Sequence, residues 1–211
     1  MKLIDGLQLK GGRIEIPDCS RDDLPAFFVE MGYKVGVEIG VYKGEYTKLF
    51  LNAGLQMYAV DPYMAYDDYN EPNRDFQARQ DYLYKRLYHV LKIYPNCTII
   101  RKTSMDAVKD IPNNSLDFVY IDGHHGFKYV AEDLWEWSKK VKKGGIISGH
   151  DYALNRHANA RDPYVLNVKY VLDAWVQAFH IDTYYILGRH KAPEGEKRDK
   201  WRSWMYVNPG I

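Results

Sequence analysis

The stretch Val37-Glu38-Ile39-Gly40-Val41-Tyr42-Lys43-Gly44-Glu45 decides how the rest of the chain is read. Residues 33–39 form a short apolar run of the kind a buried strand requires. Beyond the stretch, Tyr46, Leu49, Phe50 and Leu51 recur at the spacing of a helix's inward face, with Gly54 as its stop. A strand, a glycine turn and a helix start together make a ligand site. Glycines let the backbone come close to a bound molecule, and the first amides of a helix have no intrahelical partner. The spacing Gly36, Gly40, Gly44 is not the G-x-G-x-x-G of dinucleotide-binding proteins. Glu38 at the strand end would repel a pyrophosphate and suits a cationic ligand with an amino group. A second strand, residues 57–60, closes on Asp61, where a carboxylate can accept from both hydroxyls of a ribose.

Working outward, 211 residues suffice for a single α/β domain with a sizeable core. Lys and Arg number 29 against 28 Asp and Glu, so no field favours nucleic acid or a membrane surface. Cys19 and Cys97 have no metal-like spacing and read as free thiols. There is no apolar run of membrane-spanning length and no signal peptide at the start, which makes a cytoplasmic protein the expectation. The 19 tyrosines exceed what a core needs, and three of them, Tyr63, Tyr66 and Tyr69, cluster just after Asp61.

Residues 1–19 read as an irregular or short-stranded lead-in. A helix follows over residues 20–31, with Ser20 and Asp23 as a capping box. Residues 62–94 hold an inserted loop and a helix, in which the tyrosines form either a lid over the acceptor or an amphipathic loop surface. Strands are expected over residues 97–100, 116–121 and 146–148. Between the last two lies a helix with Phe127, Val130, Leu134 and Val141 on one face. Lys139, Lys140, Lys142 and Lys143 crowd its C-terminus, where cations offset the helix dipole. A helix over residues 168–179 precedes two strands, residues 183–187 and 203–207, joined by a charged loop. Strands alternating with helices and closed by a hairpin predict an α/β fold with a mostly parallel sheet and one antiparallel strand.

Ligands of open parallel sheets bind beyond the carboxyl ends of the strands. Glu38, Asp61, Ser104, Asp122, His124, His125, His150 and Asp151 all fall at such ends. Eight polar side chains on one rim are hard to explain as fold stability alone.

Glu38-x-Gly40-x-x-x-Gly44 followed by Asp61 resembles the cofactor site of class I S-adenosylmethionine-dependent methyltransferases, whose fold is Rossmann-like. A closer resemblance runs through Ile121-Asp122-Gly123-His124-His125, Asp133-Leu134, Trp137, Gly144-Gly145 and His150-Asp151-Tyr152. It is similar to the pattern of the small methyltransferases related to macrocin-type sugar O-methyltransferases. The resemblance implies Glu38, Gly40 and Gly44 around the methionine end of the cofactor, Asp61 on its ribose, and Ser104 and Met105 by the adenine. Asp122 belongs to the same cleft. It also implies a divalent metal, magnesium or manganese, on Asp122 and Asp151, with His150 as a further ligand where some relatives carry an acid. A hydroxyl attacks a sulfonium methyl well only as its proton leaves. His125 is the expected base, with His124 second. The expected acceptor is a small molecule or a saccharide, and a homo-oligomer is left open. The alternatives are N- or C-methylation without a metal, and a non-catalytic cofactor-binding domain of the same fold.

Overall fold

The computed structural model describes residues 2–64, 76–154 and 166–211. Among them the strands are β1 (Gly12–Ile16), β2 (Val35–Ile39), β3 (Gln56–Val60), β4 (Cys97–Ile100), β5 (Leu116–Ile121), β6 (Val141–Tyr152), β7 (Thr183–Leu187) and β8 (Arg202–Val207). They form a single sheet in the order β1-β7-β8-β6-β5-β2-β3-β4. β8 runs antiparallel to both of its neighbours, and every other pairing is parallel. The expected C-terminal hairpin is therefore β7–β8, and its second strand inserts between β7 and β6. The helices are α1 (Leu3–Gly6), α2 (Leu24–Glu30), α3 (Glu45–Asn52), α4 (Phe76–Leu91), α5 (Ser104–Ala107), α6 (Phe127–Ser138) and α7 (Val168–Ala178).

Both faces of the sheet are covered, which explains the nearly unbroken apolar run of β5. Phe118 and Tyr120 of that strand join Phe28 of α2 and Phe50 of α3 in one core cluster. Val119 and Ile121, pointing the other way, join Trp137 of α6 and Leu172 of α7 in a second. The chain leaves β2 toward β3 and β4, then returns to β2's other side for β5 and β6. That reversal opens a crevice between the ends of β2 and β5, where this architecture places its ligands.

Several local expectations change. Leu49 is exposed, and Thr47 takes its place on the buried face of α3. Val141 belongs to β6 rather than to the preceding helix, which ends at Ser138 and leaves its first residue, Phe127, exposed. Lys142 consequently lies in a strand, where its ammonium meets Asp117 at 2.7 Å. Of the two readings of the lead-in the short-stranded one holds, since β1 pairs in parallel along the whole of β7. Ser20 and Asp23 form the expected capping box, though over a 3₁₀ turn, Arg21–Asp23, that leads into α2. Among the described residues no helix is long and apolar enough to cross a membrane.

Candidate active site

The glycine turn after β2 is built by close approach. Gly40 has φ +87, and a Cβ there would lie 2.1 Å from the carbonyl oxygen of Asp122. Only glycine lets the ends of β2 and β5 come this near. Asp61, at the end of β3, holds the turn. Its Oδ2 accepts from the amides of Val41 (3.0 Å) and Tyr42 (2.9 Å), and its Oδ1 from the amide of Tyr63 (3.0 Å). Burial raises the Asp61 pKa, and those three amides oppose the rise. Above the turn is a cleft of 520 Å³, lined by Gly40, Asp61, Ser104, Met105 and Asp122 among others. Its size suits a cofactor-sized ligand.

Two of the residues expected in the cleft do not line it. Glu38 lies beneath, 2 % exposed, and its Oε2 accepts from the Thr47 hydroxyl at 2.5 Å, tying β2 to α3. Burial pushes the Glu38 carboxyl up to about 8 against the lowering effect of that hydroxyl. Gly44 has a left-handed backbone, φ +74, at the start of α3, and a Cβ on it would press on the end of the Leu87 side chain of α4. Ser104 does line the cleft, but its hydroxyl is already committed. It donates to Asp133 and accepts from the indole of Trp137 at 2.7 Å. Asp133 lines the cleft too, with burial raising its pKa to about 7.

Beside the cleft, the ends of β5 and β6 bring Asp122, His125 and Asp151 together, with one donor atom from each within 4.8 Å of the others. His125 Nε2 lies 2.8 Å from Asp151 Oδ2 and 3.6 Å from Asp122 Oδ1. Burial alone would lower its pKa, but the two carboxylates prevail and hold it at about 9. Asp151 is held well below the usual carboxylate range, because bonds from His125 and His150 outweigh its burial. His150 stands to the side, its Nδ1 at 3.2 Å from Asp151 Oδ1 and 3.8 Å from Asp122 Oδ1. Asp151 has φ +60, a left-handed turn that a non-glycine residue adopts at a cost. Two carboxylates and an imidazole suit a divalent cation such as manganese, iron or zinc better than magnesium, so the donor set fits a metal.

The histidines are therefore arranged differently from the sequence expectation. His125 occupies the third corner of the cluster, between two carboxylates that raise its pKa. His124 faces the cofactor cleft. Its Nδ1 accepts from the amide of Gly126 (3.0 Å), and its ring packs on Tyr129 at 3.9 Å. Arg21 was not foreseen at all. It comes from the turn before α2 and places Nη1 3.4 Å from Asp122 Oδ2. No local pattern marks it, because it stands 101 positions from its partner. Tyr63 forms part of the cleft wall. It is 2 % exposed, and its hydroxyl donates to the Tyr42 carbonyl at 2.6 Å. Tyr66 and Tyr69 lie outside the described residues.

Comparison with known proteins agrees with this geometry. Solved structures of similar fold include an O-methyltransferase from Bacillus cereus in complex with SAH, at 13 % identity and TM-score 0.61, covering 89 % of this chain and 80 % of that one. The N-methyltransferase NodS from Bradyrhizobium japonicum aligns at 13 % identity and TM-score 0.58, covering 90 % and 94 %. The 1,6-didemethyltoxoflavin-N1-methyltransferase of Burkholderia thailandensis, with bound S-adenosylhomocysteine, aligns at 14 % and 0.55, covering 90 % and 79 %. At such identities the likeness is one of fold. Among curated sequences, the uncharacterized protein y4gI of Sinorhizobium fredii is 30 % identical over 59 residues, which is 28 % of this chain and 6 % of that protein's length. The family described as "Methyltransferase domain" matches residues 37–152, more than half of the chain and the span from the glycine turn to the end of β6. The chain belongs to that family, that of the methyltransferase domain.

Proposed function

We propose that the protein methylates a hydroxyl of a small molecule or saccharide with the help of a divalent metal, as the resemblance to macrocin-type enzymes implies. One observation carries this reading. Asp122 belongs at once to the cofactor cleft and to the Asp122–His125–Asp151 cluster, so a metal-held hydroxyl would lie beside the transferable methyl group.

In this reading Gly40 admits the cofactor to the cleft, and Asp61 keeps its walls in place and accepts from the ribose hydroxyls. Asp122, Asp151 and His125 would hold the cation, with His125 as a neutral imidazole ligand. When bound, S-adenosylmethionine would supply an electrophilic methyl group and the cation Lewis acidity to the acceptor oxygen. Transfer of the methyl group from sulfur to oxygen would leave the hydroxyl proton to be taken up by the chain. In this reading His150 takes it at Nε2, a role supported by the contact of its Nδ1 with Asp151, which favours that tautomer. The base thus moves from His125 to His150, and the third ligand from His150 to His125.

A metal-free reading has its own support. Arg21 already faces Asp122 and His125 already faces Asp151, so cations of the chain itself offset both carboxylates. Incubation with isotopically methyl-labelled S-adenosylmethionine and mixed acceptors, with and without a chelator, separates the two. Labelled methyl ethers that vanish on chelation are expected. Full turnover under chelation, or an N-methyl product, would replace the metal-assisted reading with the metal-free one.

A further inference from the structure

A second concavity, of 350 Å³, opens at the far side of Tyr152, the residue that follows Asp151. Its walls come from β1, from the end of β6 and from the segment between β7 and β8. Five Arg and Lys side chains line it against the single carboxylate of Glu15. Two of the five are paired internally, Arg202 with Glu15 at 2.6 Å and Lys169 with Asp173. Among the described residues Arg13, Arg198 and Lys200 make no close ion pair, and Arg13 feels the Glu15 carboxylate only at longer range. Arg13 donates to the Tyr152 hydroxyl at 3.4 Å, Arg198 donates to the carbonyls of Arg189 and His190, and Lys200 lies over the ring of Trp201.

Arg13, Arg198 and Lys200 line one hollow without an ion pair of their own, and concave walls of low dielectric focus their field on whatever enters. An oxyanion there accepts several charge-assisted hydrogen bonds. The exposed ring of Trp201 lines the same hollow, and a bare inorganic ion has no use for an aromatic face. The side chains of adjacent residues thus serve two sites, with Asp151 in the metal cluster and Tyr152 in the wall of the basic hollow.

We infer that this hollow is a recognition subsite for the acceptor, and that the acceptor carries an oxyanion, phosphate or carboxylate, on a ring-bearing organic group. The inference rests on the methyltransferase reading for its word "acceptor", while the anion site itself stands on the geometry of the hollow. The test is calorimetric titration of the full chain, saturated with S-adenosylhomocysteine, with phenyl phosphate and with inorganic phosphate at constant ionic strength. Phenyl phosphate is expected to bind saturably and about tenfold more tightly than inorganic phosphate, the increment that stacking on an aromatic side chain supplies. The double change Arg13→Gln with Lys200→Gln should weaken both ligands by at least about tenfold. Trp201→Ala should erase the preference for phenyl phosphate and leave inorganic phosphate unaffected. All three residues are exposed, and an unchanged affinity for S-adenosylhomocysteine verifies folding of the variants. No saturable binding of either phosphate, or binding indifferent to the double change, overturns the subsite. Equal affinity for the two ligands, with Trp201→Ala silent, overturns the acceptor assignment and leaves a site for free anions. Failure of S-adenosylhomocysteine to bind the unaltered chain would count against the methyltransferase reading, and the phosphate titration would still report on the hollow.

Discussion

At Glu38 a carboxyl group lies in the core with the Thr47 hydroxyl as partner. Below about pH 4.5 it is protonated in both the folded and the unfolded chain. As pH rises toward 8 the unfolded chain loses this proton while the folded chain keeps it, so the stability contribution is lost across that window. Glu38→Gln should therefore raise the melting temperature at pH 8 relative to the unaltered chain and leave it similar at pH 4. Thermal unfolding at the two pH values measures this, and a few kcal/mol is the order of the effect. Equal shifts at both pH values would mean that the carboxyl is not buried as described. The two histidines make a second contrast at this scale. His125→Gln should weaken calorimetric binding of manganese. His150→Gln should keep that binding but lower kcat by roughly 10²–10⁴, the usual contribution of a general base. The reverse pattern would restore the roles read from the sequence.

The turn between β2 and α3 depends on Gly40 in a way that Gly54 does not match. Gly54, just beyond α3, also has a left-handed backbone, at φ +86, but a Cβ there meets nothing within 4 Å. Gly54→Ala should cost only the conformational term, about 1–2 kcal/mol. Gly40→Ala adds a collision with the Asp122 carbonyl and forces β2 and β5 apart. Urea unfolding should show the larger loss at Gly40, and affinity for S-adenosylhomocysteine should fall only there. Equal losses at both positions would mean that the strand ends have slack. Gly44 belongs to the element and not to the ligand, since its left-handed backbone, φ +74, starts α3.

Across the whole molecule, the N-terminal segment and the β7–β8 connection clasp each other at the edge of the sheet. Arg202 meets Glu15 at 2.6 Å, Lys197 meets Asp23 at 2.8 Å, and the amide of Arg21 donates to Asp199 at 2.8 Å. The clasp therefore holds the turn from which Arg21 reaches Asp122. Arg202→Met should leave Glu15 without its ion pair at a cost of about 1–3 kcal/mol. Hydrogen exchange should then show β1 and β7 losing protection together while β5 keeps its own. Loss confined to β1 would mean that the clasp does not bind the two strands into a unit. The order of strands and helices, the hairpin, the glycine turn and the rim of strand-end acids were all legible in the sequence. Burial on two faces writes apolar runs into β5, and a strand's end is where such a run stops. Which rim side chains meet was decided only by the tertiary structure. That His125 rather than His150 completes a three-donor cluster with Asp122 and Asp151, that Glu38 lies beneath the cleft, and that Arg21 touches Asp122 all follow from the order β6-β5-β2-β3 and from the reach of the chain's first segment. Local periodicity reports whether a residue faces the core. It carries no information on which distant strand end lies alongside, because that depends on packing between elements far apart in the chain.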